Sequence, residues 1–566
     1  MSTRKYVIGV DMGTSSTYVS VVRDGEVVSI PTINGNIGFP TLVVFTQEEC
    51  LVGEAAAAYP GEAEHVFNFK KLIEKDYNPS HARFRYPFNL SKRGEIKANC
   101  MGLLRRFRGF EMMALILGQA KRDAEAFLGE RVKGAVIAVP CFFNSEQRKL
   151  VLEAAFLANL SVERLVNDTS SVALSNGLQT DGTSLVVDFS AGAFQVAAIA
   201  KVGNTFRVLA EEGSCELGGQ SMDEKMTNHF SSQLLEYGID VTLAKQDLWE
   251  VKRGCEDLKC ALSYAEEAET EVHFSERTGV LCLKKESFER LCHNHLLECL
   301  SLCSNVSKLS KYRFFRQVLL AGRSSRIPKF HESIHRMFST VPVTPHPTSV
   351  ANGAALLGSS HPNLNEILHS ELCVACDKGF LKSLIPKGTP IPLVKYKPIQ
   401  VSGNSFDFMS VVSQACHLAD FKVMRVGSGP EDFIECKFCI NTNGILTIEQ
   451  WLESSFIMAP LPTLPHRESE ILDIGDTHLN LTRALPTSRP TSALQEHGEF
   501  IQTLGQRIQT ISDHFFFSAL MTLYSHAIEW IEMNSTQSDY LIRKHLVCLT
   551  RLEALANEIF HPAPLE

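Results

Sequence analysis

The sequence predicts an α/β protein of two similar lobes, followed by a smaller β-rich domain and a helical C-terminal tail. Three observations carry this. Strand-like apolar runs alternate with amphipathic helices up to about residue 360, the mark of an α/β domain. A strand–aspartate–turn–strand unit, Val7 to Val22, returns as Ser184 to Ile199. Beyond residue 372 the pattern turns to β, and past residue 500 to helical spacing.

The bulk properties set limits. A chain of 566 residues is too long for one core, so two to four domains are expected. With 44% hydrophobic and 21% charged residues it has the balance of a soluble globular protein. A net charge of −9 without a dense basic run excludes an electrostatic nucleic-acid footprint. The segment before Asp11 is too short for a secretory apolar region, and no apolar run reaches membrane-spanning length. A cytoplasmic or nuclear address is therefore expected, and the 16 cysteines read as reduced thiols.

In order, Tyr6–Val22 reads as two β-branched strand runs around Asp11-Met12-Gly13-Thr14-Ser15-Ser16. Gly13 admits a tight turn, and Thr14 and Ser15 add hydroxyls beside free N–H groups. Thr41–Phe45 and Leu51–Val52 follow as strands, then a short helical segment through Lys70 to Ile73. Gly109–Leu128 is a long helix with Met112, Ile116, Ala120, Ala124 and Phe127 on one face. A buried strand ends at Pro140, and Ser145 is expected to cap the helix Glu146–Ala158. Residues 221–310 read as mostly helical, with Trp249–Ala261 and Lys285–Cys303 clearest. Gln317–Ala321 is a strand that turns at Gly322, and Val350–Leu357 closes the domain. The expected organisation is then a linker at 361–371, a reduced β-sandwich at 372–459 with a tight turn at Asn443-Gly444, a Pro/Ser linker at 460–495 and a helical tail at 496–566.

The repeat carries the chemistry. Two matched hairpins suggest two lobes facing across a cleft, each offering one aspartate and one small-residue turn. Paired aspartates suit one hydrated cation, and opposed turns suit one polyphosphate.

Six separated motifs resemble DnaK-type, 70-kDa heat-shock chaperones in their order. They are Asp11-Met-Gly-Thr-Ser, Phe67 with Lys70-Lys-Leu-Ile, Ala138-Val-Pro-Cys-Phe-Phe-Asn-Ser-Glu-Gln-Arg148, Leu217-Gly-Gly-Gln, Ser324-Ser-Arg-Ile-Pro-Lys329 and Gly353-Ala-Ala. The resemblance covers residues 5–358 and continues through Leu384–Pro392 and Ile440–Thr447. It implies an actin-like ATPase domain using ATP/ADP and Mg2+, a peptide-binding β-domain and a lid-like tail. It also implies unfolded polypeptide as client, with J-domain and nucleotide-exchange partners. Asp11 and Asp188 would hold magnesium through water, and Lys70 would be the catalytic lysine. Gly13, Thr14 and Ser15 would cradle phosphates with Gly192, Gly218 and Gly219. Pro140, Arg148 and Asp168 match an interlobe switch, and Glu256, Lys259, Ser263, Gly322 and Arg326 match adenosine contacts.

The departures point to weak turnover. Ser190, Ala191, Ala193 and Gln195 replace a glycine-rich turn with its hydroxyl and carboxylate. Arg323 stands for a glycine, Cys260 for an arginine and Pro347 for an aspartate. The linker's leucine run is broken in Leu364–Leu372. The expectation is an ATP-binding chaperone with weak ATPase; the alternative is a non-enzymatic co-chaperone or interaction scaffold. Two Cys-x-x-Cys pairs, Cys373/Cys376 and Cys436/Cys439, have zinc-site spacing, although buried strand thiols account for them more simply.

Overall fold

The computed structural model describes residues 6–59, 64–73, 86, 88–91, 94–100, 103–176, 181–242, 244–274, 278–375, 381–402, 408–413, 416–422, 431–452 and 455–458. The chain divides into two compact units, Met1–Thr463 and Leu464–Glu566. The expected linker at 460–495 and helical tail at 496–566 lie outside the described residues.

The first lobe is built on β1 (Val7–Met12) and β2 (Ser16–Arg23), which form the expected antiparallel hairpin. Helix α1 (Gly109–Leu128) buries Met112, Ile116, Ala120 and Ala124 completely, as its periodicity requires. It stops at Gly129, whose φ of 72° is the left-handed cap that glycine adopts freely. Strand β3 (Gly134–Val139) runs parallel to β1 and is followed by α2 (Ser145–Leu157) and β4 (Val162–Asn167). The sheet order is β4-β3-β1-β2, continued by Glu26–Ser29. Ser145 does not cap α2. Asn144 does, its side chain accepting Gln147 N at 2.9 Å while Gln147 Oε1 accepts Asn144 N at 3.0 Å. An asparagine one residue earlier was the better acceptor, and Ser145 Oγ instead accepts the N–H of Leu446 at 3.0 Å.

Helix α3 (Asp168–Ser175) leads into the second lobe. Strands β5 (Gly182–Phe189), β6 (Phe194–Val202) and β7 (Thr205–Ser214) follow, then α4 (Gly219–Glu236) and α5 (Lys245–Ala261). The residues after α5 are less helical than expected. Glu267–His273 and Thr278–Lys284 pair as a hairpin, burying Val272, Leu281 and Leu283 on one face. The expected helix Lys285–Cys303 is two helices, Lys285–Leu291 and His293–Ser310, broken at Cys292. Strand β8 (Gln317–Ala321) then runs parallel to β5, and α6 (Ser349–Ser360) closes the lobe.

Each lobe has its own apolar core, one around α1 and one around Phe189, Phe194 and Phe330. A third core joins Val136 and Val166 of one sheet to Val186 and Leu319 of the other around Val172 and Ala354. There α6 crosses α3 so closely that a Cβ on Gly353 would run into the Ser171 carbonyl.

The segment expected as a linker contains β9 (Asn363–Ile367). It lies parallel to β7 and antiparallel to Pro390–Ile391, completing a six-stranded sheet in the order β8-β5-β6-β7-β9-Pro390–Ile391. Leu364 and Ile367 supply the burial, and Glu366, 1% exposed, accepts Asn167 N at 2.8 Å. A specific polar contact takes the place of the unbroken leucine run. Beyond it stand two four-stranded sheets, one containing Leu372–Ala375 and the other containing β10 (Glu431–Ile440) and β11 (Leu446–Leu452). They share a core of Leu372, Val374, Ile385, Phe438 and Ile448. The Asn443-Gly444 turn between β10 and β11 reaches the first lobe: Asn443 Oδ1 accepts Leu165 N at 2.9 Å.

Candidate functional site

The cleft between the lobes takes its floor from two equivalent positions. Asp11 ends the parallel ladder opposite Ala138 of β3 and pairs with Tyr18 of β2; Asp188 ends its ladder opposite Ala321 of β8 and pairs with Gln195 of β6. Each aspartate thus stands where a hairpin strand, paired on both sides, reaches its turn. Asp168, the first residue of α3, brings a third carboxylate from the crossing between the lobes. Lys70 enters from a 3-10 turn, Phe69–Ile73, and its Nζ donates to the Met12 carbonyl at 2.7 Å.

Three carboxylates against one ammonium leave the floor short of positive charge. Burial raises Asp11 well above the usual carboxylate range; Asp168 and Asp188 add to the rise and Lys70 opposes it. Burial and then Asp168 push Asp188 up to about 7. Asp168 is also raised by burial, against the pull of Lys70. Such a donor set, hard oxygens short of positive charge, suits a hydrated divalent cation.

The two turns form facing walls. Gly13 N donates to Ser16 O at 3.0 Å, leaving Thr14 and Ser15 at the tip. Opposite, Ser190 N donates to Ala193 O at 3.0 Å. Gly192 sits so close to Thr14 that any Cβ there would strike the Thr14 hydroxyl. Gly218 and Gly219 do not line the cleft. They back the second turn, where Gly219 N and Gln220 N donate to Ser190 O and Ala191 O at 3.0 and 2.8 Å.

Glu256, Lys259, Ser263 and Arg326 line the same cleft with Cys260 and Pro347, and Gly322 lines it beside Asp188. Gly322 needs its φ of 78°, because a Cβ would meet the Phe189 backbone and approach Asp188 Oδ1. Lys259 is already engaged: its Nζ lies 2.6 Å from Asp223 Oδ2 in a buried pair that sequence reasoning did not see. Burial pushes Asp223 up to about 6 even so, outweighing that ammonium. Arg323 Nη2 donates to Ser16 Oγ at 3.3 Å, bridging the lobes at the mouth.

The altered residues act on the floor. Ser190 Oγ donates to Asp188 Oδ1 at 2.6 Å. Gln195 Nε2 donates to Asp168 Oδ2 at 2.8 Å and Asp188 Oδ2 at 3.3 Å, while its Oε1 accepts Cys141 N at 2.6 Å. A carboxylate in place of Gln195 could make none of the first two bonds. Arg148 is buried behind the floor, with Nη2 on Asn167 Oδ1 at 2.8 Å and Nε on Phe143 O at 2.9 Å.

The two Cys-x-x-Cys pairs do not converge among the described residues. Burial alternates along Cys436–Ile440, so Cys436 and Cys439 face opposite sides of β10, and Cys373 belongs to the other sheet. Cys376 lies outside the described residues. No helix among the described residues is long and apolar enough to cross a membrane.

Duplicated hairpins facing across a carboxylate floor, with β-sheets joined through a docked strand, define a two-lobed α/β protein with a cleft between its lobes. Comparison with known proteins gives the family. The Hsp70 protein family matches residues 7–457, and the chain belongs to it. It is similar to heat shock cognate 70 kDa protein 3 of Dictyostelium discoideum, 27% identical over 488 residues, which cover 78% of this chain and 77% of that protein. The chain is a divergent member of the 70-kDa chaperone family.

Proposed function

We propose that the protein binds Mg-ATP between its lobes, hydrolyses it slowly, and uses the bound state to control its grip on unfolded or nascent polypeptide. The observation that carries this is the convergence of Asp11, Asp168 and Asp188 on Lys70 between two facing turns. ATP supplies a transferable phosphoryl group, and magnesium the positive charge the floor lacks. Asp11 and Asp188 would hold the hydrated ion, and the backbones of Gly13, Thr14, Ser15 and Gly192 would cradle the phosphates. Lys70 Nζ, held at the Met12 carbonyl, would balance developing charge and orient the attacking water, with Asp168 as acceptor for its proton. Glu256, Lys259, Ser263, Gly322 and Arg326 would receive the adenosine. By analogy with the family, J-domain proteins and nucleotide-exchange factors are the proposed partners and the cytoplasm or nucleus the proposed location.

A second reading, a nucleotide-binding scaffold or co-chaperone without useful hydrolysis, is favoured by one observation: Ser190 and Gln195 occupy both oxygens of Asp188. Two measurements test these readings. Mg-ATP at about 100 times its Kd stabilises the full chain by about 2.7 kcal/mol in the binding-linkage relation, and Asp11→Ala abolishes the shift. An unchanged melting curve refutes both readings. Phosphate release under steady-state turnover then separates them: slow release supports the chaperone ATPase, and none supports the scaffold.

A further inference from the structure

We propose that Cys141, Glu211 and His369 form a zinc site that pins the connector after β9 to both lobes. The three residues come from separate segments: the loop after β3, strand β7, and the chain just beyond β9. One ligand atom from each lies within 4.8 Å of the other two. All are buried, at 1%, 1% and 7% exposure.

Two of the three ligand atoms are unsatisfied, whereas Cys141 Sγ donates to the Glu212 carbonyl at 3.8 Å. Glu211 Oε2 accepts Asn167 Nδ2 at 3.2 Å, but Oε1 has no hydrogen-bond partner. His369 Nδ1 also has none and lies 3.8 Å from that oxygen, beyond hydrogen-bond reach. Two orphaned buried atoms facing each other cost more than a packed apolar pair would.

A borderline-soft divalent cation removes the deficit. Thiolate, imidazole and carboxylate are zinc's ordinary donors. Zinc bonds of about 2.0–2.3 Å place tetrahedral ligand atoms about 3.3–3.8 Å apart, so inward shifts of about 1 Å suffice. With Cys141 bound as thiolate, its proton released on binding, and Glu211 as carboxylate, the complex has zero net charge. Asn167 already orients the carboxylate, and the Phe142 ring lies 6.4 Å edge-on to the imidazole. This assignment is independent of nucleotide binding.

The test is metal counting on the full chain. The protein is equilibrated with zinc in magnesium-containing buffer, which fills hard-oxygen sites, then desalted and analysed by plasma mass spectrometry. One zinc per chain is expected, lost in His369→Gln and in Glu211→Gln but retained in Cys436→Ser. Cooperative melting of each variant establishes that it is folded. Cobalt loading of the unaltered chain adds a check that needs no substitution: a sulfur-to-cobalt charge-transfer band is expected. Zinc at trace level, zinc unchanged in both His369→Gln and Glu211→Gln, or cobalt without the sulfur band overturns the proposal.

Discussion

At the scale of single residues, two departures act on one carboxylate. Ser190 Oγ and Gln195 Nε2 both donate to Asp188, competing with any water bound to a cation there. Restoring acceptor capacity with Ser190→Gly and Gln195→Asp together is expected to raise ATP turnover roughly tenfold, about 1.4 kcal/mol of barrier. The check is the steady-state phosphate-release rate of the double variant against the parent. The sequence disclosed these residues as exceptions to a motif, because a motif specifies which residue types belong at which spacing. It did not disclose that Gln195 ties Asp168, Asp188 and Cys141 together. That depends on an amide having both donor and acceptor, brought by β6 against residues distant in the chain. Cys141, Glu211 and His369 escaped for the same reason: no local spacing links three residues that meet through tertiary packing.

At the scale of elements, the docking of the β-domain rests on a few polar contacts. Asn443 Oδ1 accepts the N–H of Leu165, a residue with 0% exposure. Asn443→Ala leaves that donor unpaired at a cost of about 1–3 kcal/mol. The expected readout is faster hydrogen exchange at the Leu165 amide and a lower urea midpoint, with β10 and β11 still folded. Here the sequence was informative about elements and silent about their contacts. Gly109–Leu128 was legible from its periodicity, and the paired hairpins from their apolar runs around small-residue turns and from their repetition. The hairpin after α5 was not read, although Glu267–His273 and Thr278–Lys284 alternate as strands do. The β9 strand was masked by its interrupted apolar run, because Glu366 is buried by a partner 199 residues away.

At the scale of the whole molecule, buried carboxylates set the pH dependence. Asp188 at about 7 and Glu211 at about 8 are raised above their unfolded values, so the folded chain holds protons that the unfolded chain releases. Their stabilising contribution is present at low pH and is lost as pH rises through these values. Buried His295 and His369 have depressed values of about 4 and about 3 and act oppositely, but only below the ordinary histidine range. Between about pH 6.5 and 8 the carboxylates therefore dominate in the chain free of nucleotide and metal: Glu211 lowers stability by up to about 1.4 kcal/mol per pH unit, and Asp188 adds a smaller slope that fades above about pH 7. Urea melts across this window check the slope, and saturating magnesium with ATP is expected to flatten the part due to Asp188. None of this was visible in composition, since a net charge of −9 says nothing about which acids are buried.

The sheet that begins at β8 and ends at Pro390–Ile391 is continuous across the junction between the lobes and the β-domain. Strand β9 lies parallel to β7 through Thr205–Asn363, Phe206–Leu364 and Arg207–Asn365. Tension on the β-domain is thus directed along β9. Its ladder to β7 would be loaded in shear, with the bonds sharing the load, rather than peeled one at a time. The junction is mechanically a lap joint, and it resists a pull along the strand better than one across it.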